Sequence, residues 1–217
     1  LHEETLPNDC LPIIDRTDED SDLLKIIAYI LVDRGLELTD YNWHWSNSPG
    51  YRDRVIIPFY HEGRIVGWTG RKITDGKPRY LTTAQPGYVF NMDAQTSDRK
   101  YAIVVEGQFD AIAIGGVAIM HNEPNEIQCA RINSLFRDII VVPDKDRAGA
   151  KMIIAALNNG WSISMPPWGE EIKDVSDAVK KYGKVYTLAA ILHYKEDNKI
   201  KIEIQKKKLE NINDKQN

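Results

Sequence analysis

Four acidic residues of this 217-residue chain have the type and spacing to do chemistry: Glu106, Asp110, Asp144 and Asp146. Glu106-Gly107 and, one helical turn later, Asp110 follow the apolar run Tyr101–Val105. Asp144-Lys145-Asp146 and then Arg147-Ala148-Gly149 follow the run Asp138–Pro143. Carboxylates brought together repel, and a divalent cation such as Mg²⁺ or Mn²⁺ is the usual relief. A single Asp at a strand end is ordinary turn chemistry, because Asp caps turns and helices well. Two separate strand ends that both deliver acids make a stronger signal for a metal site.

The elements that must position these acids follow from the same runs. Unbroken β-branched stretches without polar alternation predict strands buried on both faces, as in a parallel sheet flanked by helices. Ligands bind at the carboxyl ends of such strands, so the acids converge on one edge. Between and after them the chain reads as a short helix over 109–114 ended by Gly115-Gly116, a strand over Val117–Met120, and a helix from about Asn125 to Phe136. A helix from Ala148 to Leu157, a strand at Trp161–Ser164 and a further helix opened by Lys173-Asp174-Val175-Ser176-Asp177 complete the pattern. Alternation of strands and helices with short links implies a mostly parallel sheet. Asp174 and Asp177 have the spacing of a helix N-cap and its third residue, which by itself explains both.

Upstream, Asp22–Arg34 is apolar enough to be a packing helix, with Gly35 as its C-cap. The aromatic cluster Tyr41, Trp43, His44, Trp45 reads as a hydrophobic plug before it reads as a base-stacking surface. Arg54–Tyr60 and Arg64–Gly70 flank the hairpin loop His61-Glu62-Gly63, and a third extended piece, Pro78–Thr82, follows the turn Asp75-Gly76. Residues 1–20 are acidic without an apolar period and read as a linker or loosely docked arm. Residues 195–217, where Ile200, Ile202 and Ile204 alternate with charged residues, read as an edge strand or a linker stump. The expected domains are therefore an arm (1–20), an α+β subdomain (21–99), an α/β module (100–194) and a tail (195–217).

Composition excludes several classes. No run of about 18 apolar residues exists to span a membrane, and the first ten residues lack a basic region followed by an apolar core, so no secretion signal is read there. The chain opens on Leu, as a piece cut from something longer would. With only Cys10 and Cys129, neither a disulfide framework nor a cysteine-rich zinc site is expected, which fits a reducing cytoplasm. The net charge of −4 is uneven: residues 1–50 hold 3 Lys/Arg against 11 Asp/Glu, while residues 51–100 hold 9 against 5. Local sign decides where a phosphate backbone can lie, and the basic excess sits just ahead of the acids. Arg71, Lys72, Lys77 and Arg79 form a short basic run that reads either as a solvated hairpin face or as a holder of phosphates.

Val105-Glu106-Gly107-Gln108-Phe109-Asp110-Ala111 together with Val142-Pro143-Asp144-Lys145-Asp146-Arg147-Ala148-Gly149 resembles the Toprim module of primases, type IA and type II topoisomerases and some nucleases. The upstream segment, at Ile57-Pro58, Gly67, Gly70-Arg71, Pro78, Tyr80 and Leu81, resembles the part of bacterial and bacteriophage primases that precedes their Toprim module. Tyr29–Leu36 resembles a helix ahead of the same core, and Lys173-Asp174 with Asp177-Ala178 resembles its third acidic motif. The loop His121–Pro124, where small residues and Gly are usual, and Pro143 depart from the pattern.

The resemblance implies a Toprim module preceded by a smaller α+β subdomain, and a DNA primase core that joins ribonucleoside triphosphates on single-stranded DNA. It implies Glu106, Asp144 and Asp146 as catalytic and metal-binding residues for Mg²⁺ or Mn²⁺, with Glu106 a ligand or a proton acceptor. Arg71, Lys72, Lys77, Arg79 and Tyr80 would contact substrate or nucleic acid, and Gly107, Asp110, Arg147, Gly149 and Asp174 would support the site. A replicative helicase and a zinc-binding module are the partners implied, with a bacterial or phage-infected cytoplasm as the location. A Toprim-type nuclease using the same acids, or a noncatalytic core that binds DNA or replication proteins, are the alternatives.

Overall fold

Apolar runs without polar alternation must be covered on both faces, whereas hairpin-linked strands can leave one face wet; this chain builds one sheet of each kind. The computed structural model describes residues 1–17 and 19–212. It divides into two compact units, Leu1–Tyr88 and a second that begins at Val89.

The first unit holds an antiparallel sheet in the order β1 (Cys10–Pro12), β2 (His44–Ser46), β3 (Arg54–His61), β4 (Arg64–Lys72), β5 (Tyr80–Thr83). A helix, α1 (Ser21–Ala28), lies between β1 and β2 in sequence. Asp20 caps it, its carboxylate accepting the Asp22 N–H at 2.8 Å. The helix continues as one π-helical turn over Tyr29–Asp33, and Gly35 ends the segment at φ +62°. β3 and β4 meet across Glu62-Gly63, both at positive φ, as two-residue hairpins require. His61 is already paired with Arg64, so the loop is one residue shorter than expected. Trp43, His44 and Trp45 are buried, and the two indole N–H groups donate to the carbonyls of Glu37 and Arg52. They are a plug, with no ring face left for a base.

Of the linker or loosely docked arm expected over 1–20, the structure gives a docked segment. Cys10–Pro12 pairs with His44–Ser46, and the Glu4 N–H donates to the Ile65 carbonyl at 2.9 Å. Backbone hydrogen bonds make these contacts, so side-chain periodicity carries no trace of them. Asp18, part of that expected arm, lies outside the described residues.

The second unit runs β6 (Tyr101–Val105), α2 (Gln108–Ile114), β7 (Val117–Ala118), α3 (Glu126–Asn133), β8 (Asp138–Val141), α4 (Gly149–Asn159), β9 (Ser162–Ser164), α5 (Val175–Tyr182), α6 (Lys184–His193), β10 (Lys195–Glu196) and α7 (Lys199–Glu210). Its sheet order is β10-β9-β8-β6-β7. β7, β6, β8 and β9 are mutually parallel and β10 is antiparallel at the edge. Ala102–Val105 and Ile139–Val141 are 0–5% exposed. Each buried Val or Ile of this kind contributes about 1.5–3 kcal/mol, which is what fixes the register of the two strands whose ends carry the acids. Residues 89–99, expected upstream of the boundary, belong here because Phe90 pairs with Ala118 and Val89 enters the core.

The tail is not the alternating strand expected from Ile200, Ile202 and Ile204. Only Lys195–Glu196 extends the sheet; α7 follows, with Asn198 accepting the N–H groups of Ile200 and Lys201. Ile202 and Leu209, seven residues and two turns apart, are buried in the core, while Ile200 and Ile204 are exposed. Residues 213–217 of that expected tail lie outside the described residues. Among the described residues no helix is long and apolar enough to cross a membrane.

Candidate active site

β6 ends at Val105 and hands the chain to Glu106, whose half-buried side chain cannot be fully solvated. Burial first, then the charges of Asp146 and Asp110, raise its carboxyl to about 7, against the pull of the Asp144 backbone N–H. Its Oε1 is buried with no hydrogen-bond partner. Gly107 opens α2; a Cβ there would stand 2.8 Å from Asp110 Oδ2, so only glycine lets the helix start against that carboxyl. Asp110 is 7% exposed and accepts the Ser176 N–H at 2.8 Å. Burial, the charges of Asp174 and Asp144, and a hydrogen bond shared with Asp174 push Asp110 well above the usual carboxyl range.

β8 ends one residue before Val142-Pro143, and Asp144 follows. Burial first, then the charges of Glu106, Asp174, Asp146 and Asp177, raise Asp144 to about 8. Asp146 is exposed and spends one oxygen on the Gly149 N–H at 2.9 Å, closing the turn that starts α4. A Cβ on Gly149 would lie 2.3 Å from the Asp144 carbonyl oxygen, so the turn holding both acids demands glycine. Asp174 caps α5 by accepting the Asp177 N–H at 2.8 Å, and Asp177 accepts the Lys173 N–H at 3.1 Å. Their helix-capping reading from sequence is therefore correct, yet Asp174 also acts electrostatically on Asp110 and Asp144. Arg147 is exposed and makes no hydrogen bond or ion pair among the described residues.

The structure thus gathers Glu106, Asp110, Asp144, Asp146 and Asp174 into one electrostatic neighbourhood. Among the described residues no three His, Cys, Asp or Glu side chains stand close enough together to hold a metal ion as they are. The unpartnered Glu106 oxygen and the mutual repulsion of Glu106, Asp144 and Asp146 make an all-oxygen donor set that fits a hard divalent cation. What crowding costs the empty cluster, a cation would recover.

The basic candidates belong to the first unit. Arg71, on β4, donates from Nε to the Tyr29 hydroxyl at 3.3 Å and lies over the Tyr80 ring at 4.8 Å. Arg34 donates from Nε to the same hydroxyl at 2.8 Å. Two guanidinium groups on one phenol oxygen make a paired positive site suited to phosphate. Lys72 differs from expectation: its amine pairs with Asp53 at 3.3 Å, which takes up the charge expected to meet phosphate. Lys77 and Arg79 are exposed, and the Arg79 carbonyl accepts the Lys72 N–H at 2.9 Å. Buried Arg54 holds the β4–β5 connection by donating to the carbonyls of Gly50, Gly70, Pro78 and Arg79.

Arg34 is the residue that site reasoning from sequence missed. Its stretch has the pattern of a packing helix; the signal that points to it is Tyr29, five residues earlier, whose hydroxyl needs a partner when the ring is buried.

No protein-family model matches the chain. A DNA primase from Synechococcus elongatus is 32% identical over 127 residues, covering 48% of this chain and 18% of that protein. The first five curated relatives are all DNA primases, and the matching stretch spans 18–26% of their length. A solved DnaG primase catalytic domain, bound to single-stranded DNA, superposes with a TM-score of 0.65 at 19% identity, over 81% of this chain and 75% of that one. The primase fragment of the bacteriophage T7 primase-helicase gives a TM-score of 0.59 at 17% identity, over 75% and 73%.

Proposed function

We propose that this chain, a homologue of bacterial DNA primases with the fold of the DnaG catalytic core, synthesises RNA primers on single-stranded DNA. The reaction joins ribonucleoside triphosphates by attack of a 3′-hydroxyl on an α-phosphate, with pyrophosphate leaving. The observation that carries the reading is the buried, unpartnered Oε1 of Glu106 beside the crowded acids of the Asp144–Asp146 turn.

Glu106, Asp144 and Asp146 would hold Mg²⁺ or Mn²⁺. A divalent ion bound there supplies charge neutralisation for the triphosphate and lowers the pKa of the attacking hydroxyl. The chain's own part is positional: Gly149 and Gly107 let the backbone close around the acids, and Asp110, which accepts the Ser176 N–H, anchors the start of α5 beside Asp174. Arg71 and Arg34, paired on Tyr29, would hold a phosphate of the template or of the incoming nucleotide, with Lys77, Arg79 and Tyr80 on the same exposed stretch. Single-stranded DNA and nucleoside triphosphates are the partners this chemistry requires; a helicase and a zinc-binding module are partners that the primase resemblance adds.

The test is primer synthesis on single-stranded DNA with labelled ribonucleotides and Mg²⁺ or Mn²⁺, comparing the wild type with Asp144→Asn. Short RNA products that vanish in the variant are expected. Cleavage of the DNA that depends on Asp144, with no RNA formed, would replace this reading by a nuclease.

A further inference from the structure

Lys145 sits between the two acids of the Asp-x-Asp turn, where a lysine would be expected to fold back and neutralise them. It does not. Its amine donates to the Trp168 carbonyl at 2.8 Å and reaches the Gly169 carbonyl at 3.5 Å. It lies 5.9 Å from the centre of the Trp168 ring, and the opposite charge acting on it is Glu171, not Asp144 or Asp146. Its backbone N–H meanwhile donates to the Lys173 carbonyl at 3.0 Å. One residue therefore holds the 166–174 loop at two places, through its side chain at Trp168-Gly169 and through its backbone at Lys173. The next residue is Asp174, which acts on Asp110 and Asp144. The loop's other ties are its own Trp168 N–H to Pro166 and Ile172 N–H to Gly169 bonds, burial of Ile172, and links to α5: the Glu171–Lys181 ion pair, the Lys173 N–H on Asp177 and the Asp177 N–H on Asp174.

We propose that Lys145 is a positioning residue: it clasps the 166–174 loop to the Asp144–Asp146 turn and so sets where Asp174 stands relative to the acid cluster. The geometry achieves this while turning a positive charge away from the place where a cation would compete with it. The inference rests on the proposed metal-dependent reading for its consequence, but the clasp itself is a property of the chain without metal.

Electrostatics and the clasp predict opposite signs, which makes the test sharp. Removing a cation next to acids should, by Coulomb's law alone, tighten divalent-ion binding. Loss of the clasp should weaken it by about tenfold, the scale on which groups that orient ligands count. The experiment compares the wild type, Lys145→Met, which keeps the apolar stem, and Lys145→Arg, which restores donors. Amide hydrogen exchange is read in the metal-free chain, and Mn²⁺ binding by calorimetry. Faster exchange confined to 166–174 in Lys145→Met, weaker Mn²⁺ binding and partial recovery of both in Lys145→Arg are expected. Unchanged loop exchange, or Mn²⁺ binding that is equal or tighter in Lys145→Met, overturns the proposal. Exchange faster throughout the second unit overturns it too, since that is loss of stability and not of position. Neither readout needs primer synthesis, so a chain that made no RNA would refute the functional reading while leaving the clasp separately decided.

Discussion

In the unit that ends at Tyr88, charged side chains have mostly been given partners: Arg52 bridges Asp20 and Asp22 at 2.8 and 2.9 Å, Lys72 meets Asp53, and Arg54 is consumed by backbone carbonyls. In the unit that begins at Val89, like charges have been pressed together, and burial first, then those neighbouring charges, hold Glu106 and Asp144 above the ordinary carboxyl range. The contrast separates structural from functional charge. A charge whose partners are all protein groups has nothing left to offer a ligand, whereas an oxygen buried without a partner is destabilising until something binds it. By that criterion the acid cluster of the second unit is the place where charge is left for a ligand.

Glu106→Gln should break the comparison most severely. It keeps the size of the side chain and removes the charge, so primer synthesis should fall about 100-fold or more, the scale on which charge-stabilising groups contribute. The metal-free variant should nonetheless unfold at a higher temperature than the wild type at pH 8, because a repulsive charge is gone. Lost activity together with lowered stability would mean that Glu106 is a structural residue.

Gly149→Ala comes next. The added methyl would overlap the Asp144 carbonyl, and overpacking of this kind costs about 1–3 kcal/mol. Chemical denaturation should show that loss, and Mn²⁺ affinity should fall with it as Asp144 is displaced. An alanine variant of wild-type stability would mean the turn is looser than its geometry requires.

Arg71→Ala tests the other side. Binding of single-stranded DNA should weaken, and the slope of log affinity against log salt should drop by about one ion. The same substitution at Lys72, whose charge is already paired with Asp53, should change that slope less. Equal slopes for the two variants would remove the distinction between paired and open charge on β4.

Much of this was legible in the sequence because it rests on strong local signals. Tyr101–Val105 is a strand by five apolar or aromatic residues in a row, and Gly149 is required by the turn it serves. The acids at the strand ends could be found because parallel strands must deliver their carboxyl ends to one edge. Other features depend on tertiary contacts that no local pattern records. Cys10–Pro12 is a strand only because β2 offers an edge, and three residues in an acidic stretch show no period. The Ile200–Ile204 alternation mimics a strand, while the burial that decides the matter is at Ile202 and Leu209, two helical turns apart. Lys145 is the middle residue of Asp144-Lys145-Asp146, and nothing in that spacing says that its amine reaches a loop more than twenty residues away.

The account turns on one claim, that the carboxyls of the second unit are destabilising by themselves and are relieved by a divalent cation. Carboxyls whose folded-state values are raised bind protons more tightly in the native than in the unfolded chain. Their penalty is absent below the ordinary carboxyl range and grows as pH rises from about 4 through about 7 for Glu106 and about 8 for Asp144. Thermal unfolding of the metal-free chain with and without Mn²⁺, at pH 5 and pH 8, tests this most directly. The account predicts that Mn²⁺ raises the unfolding temperature by several degrees at pH 8, much less at pH 5 where protons already relieve the cluster, and hardly at all in Asp144→Asn. The same rise at both pH values, or no rise at pH 8, would contradict it.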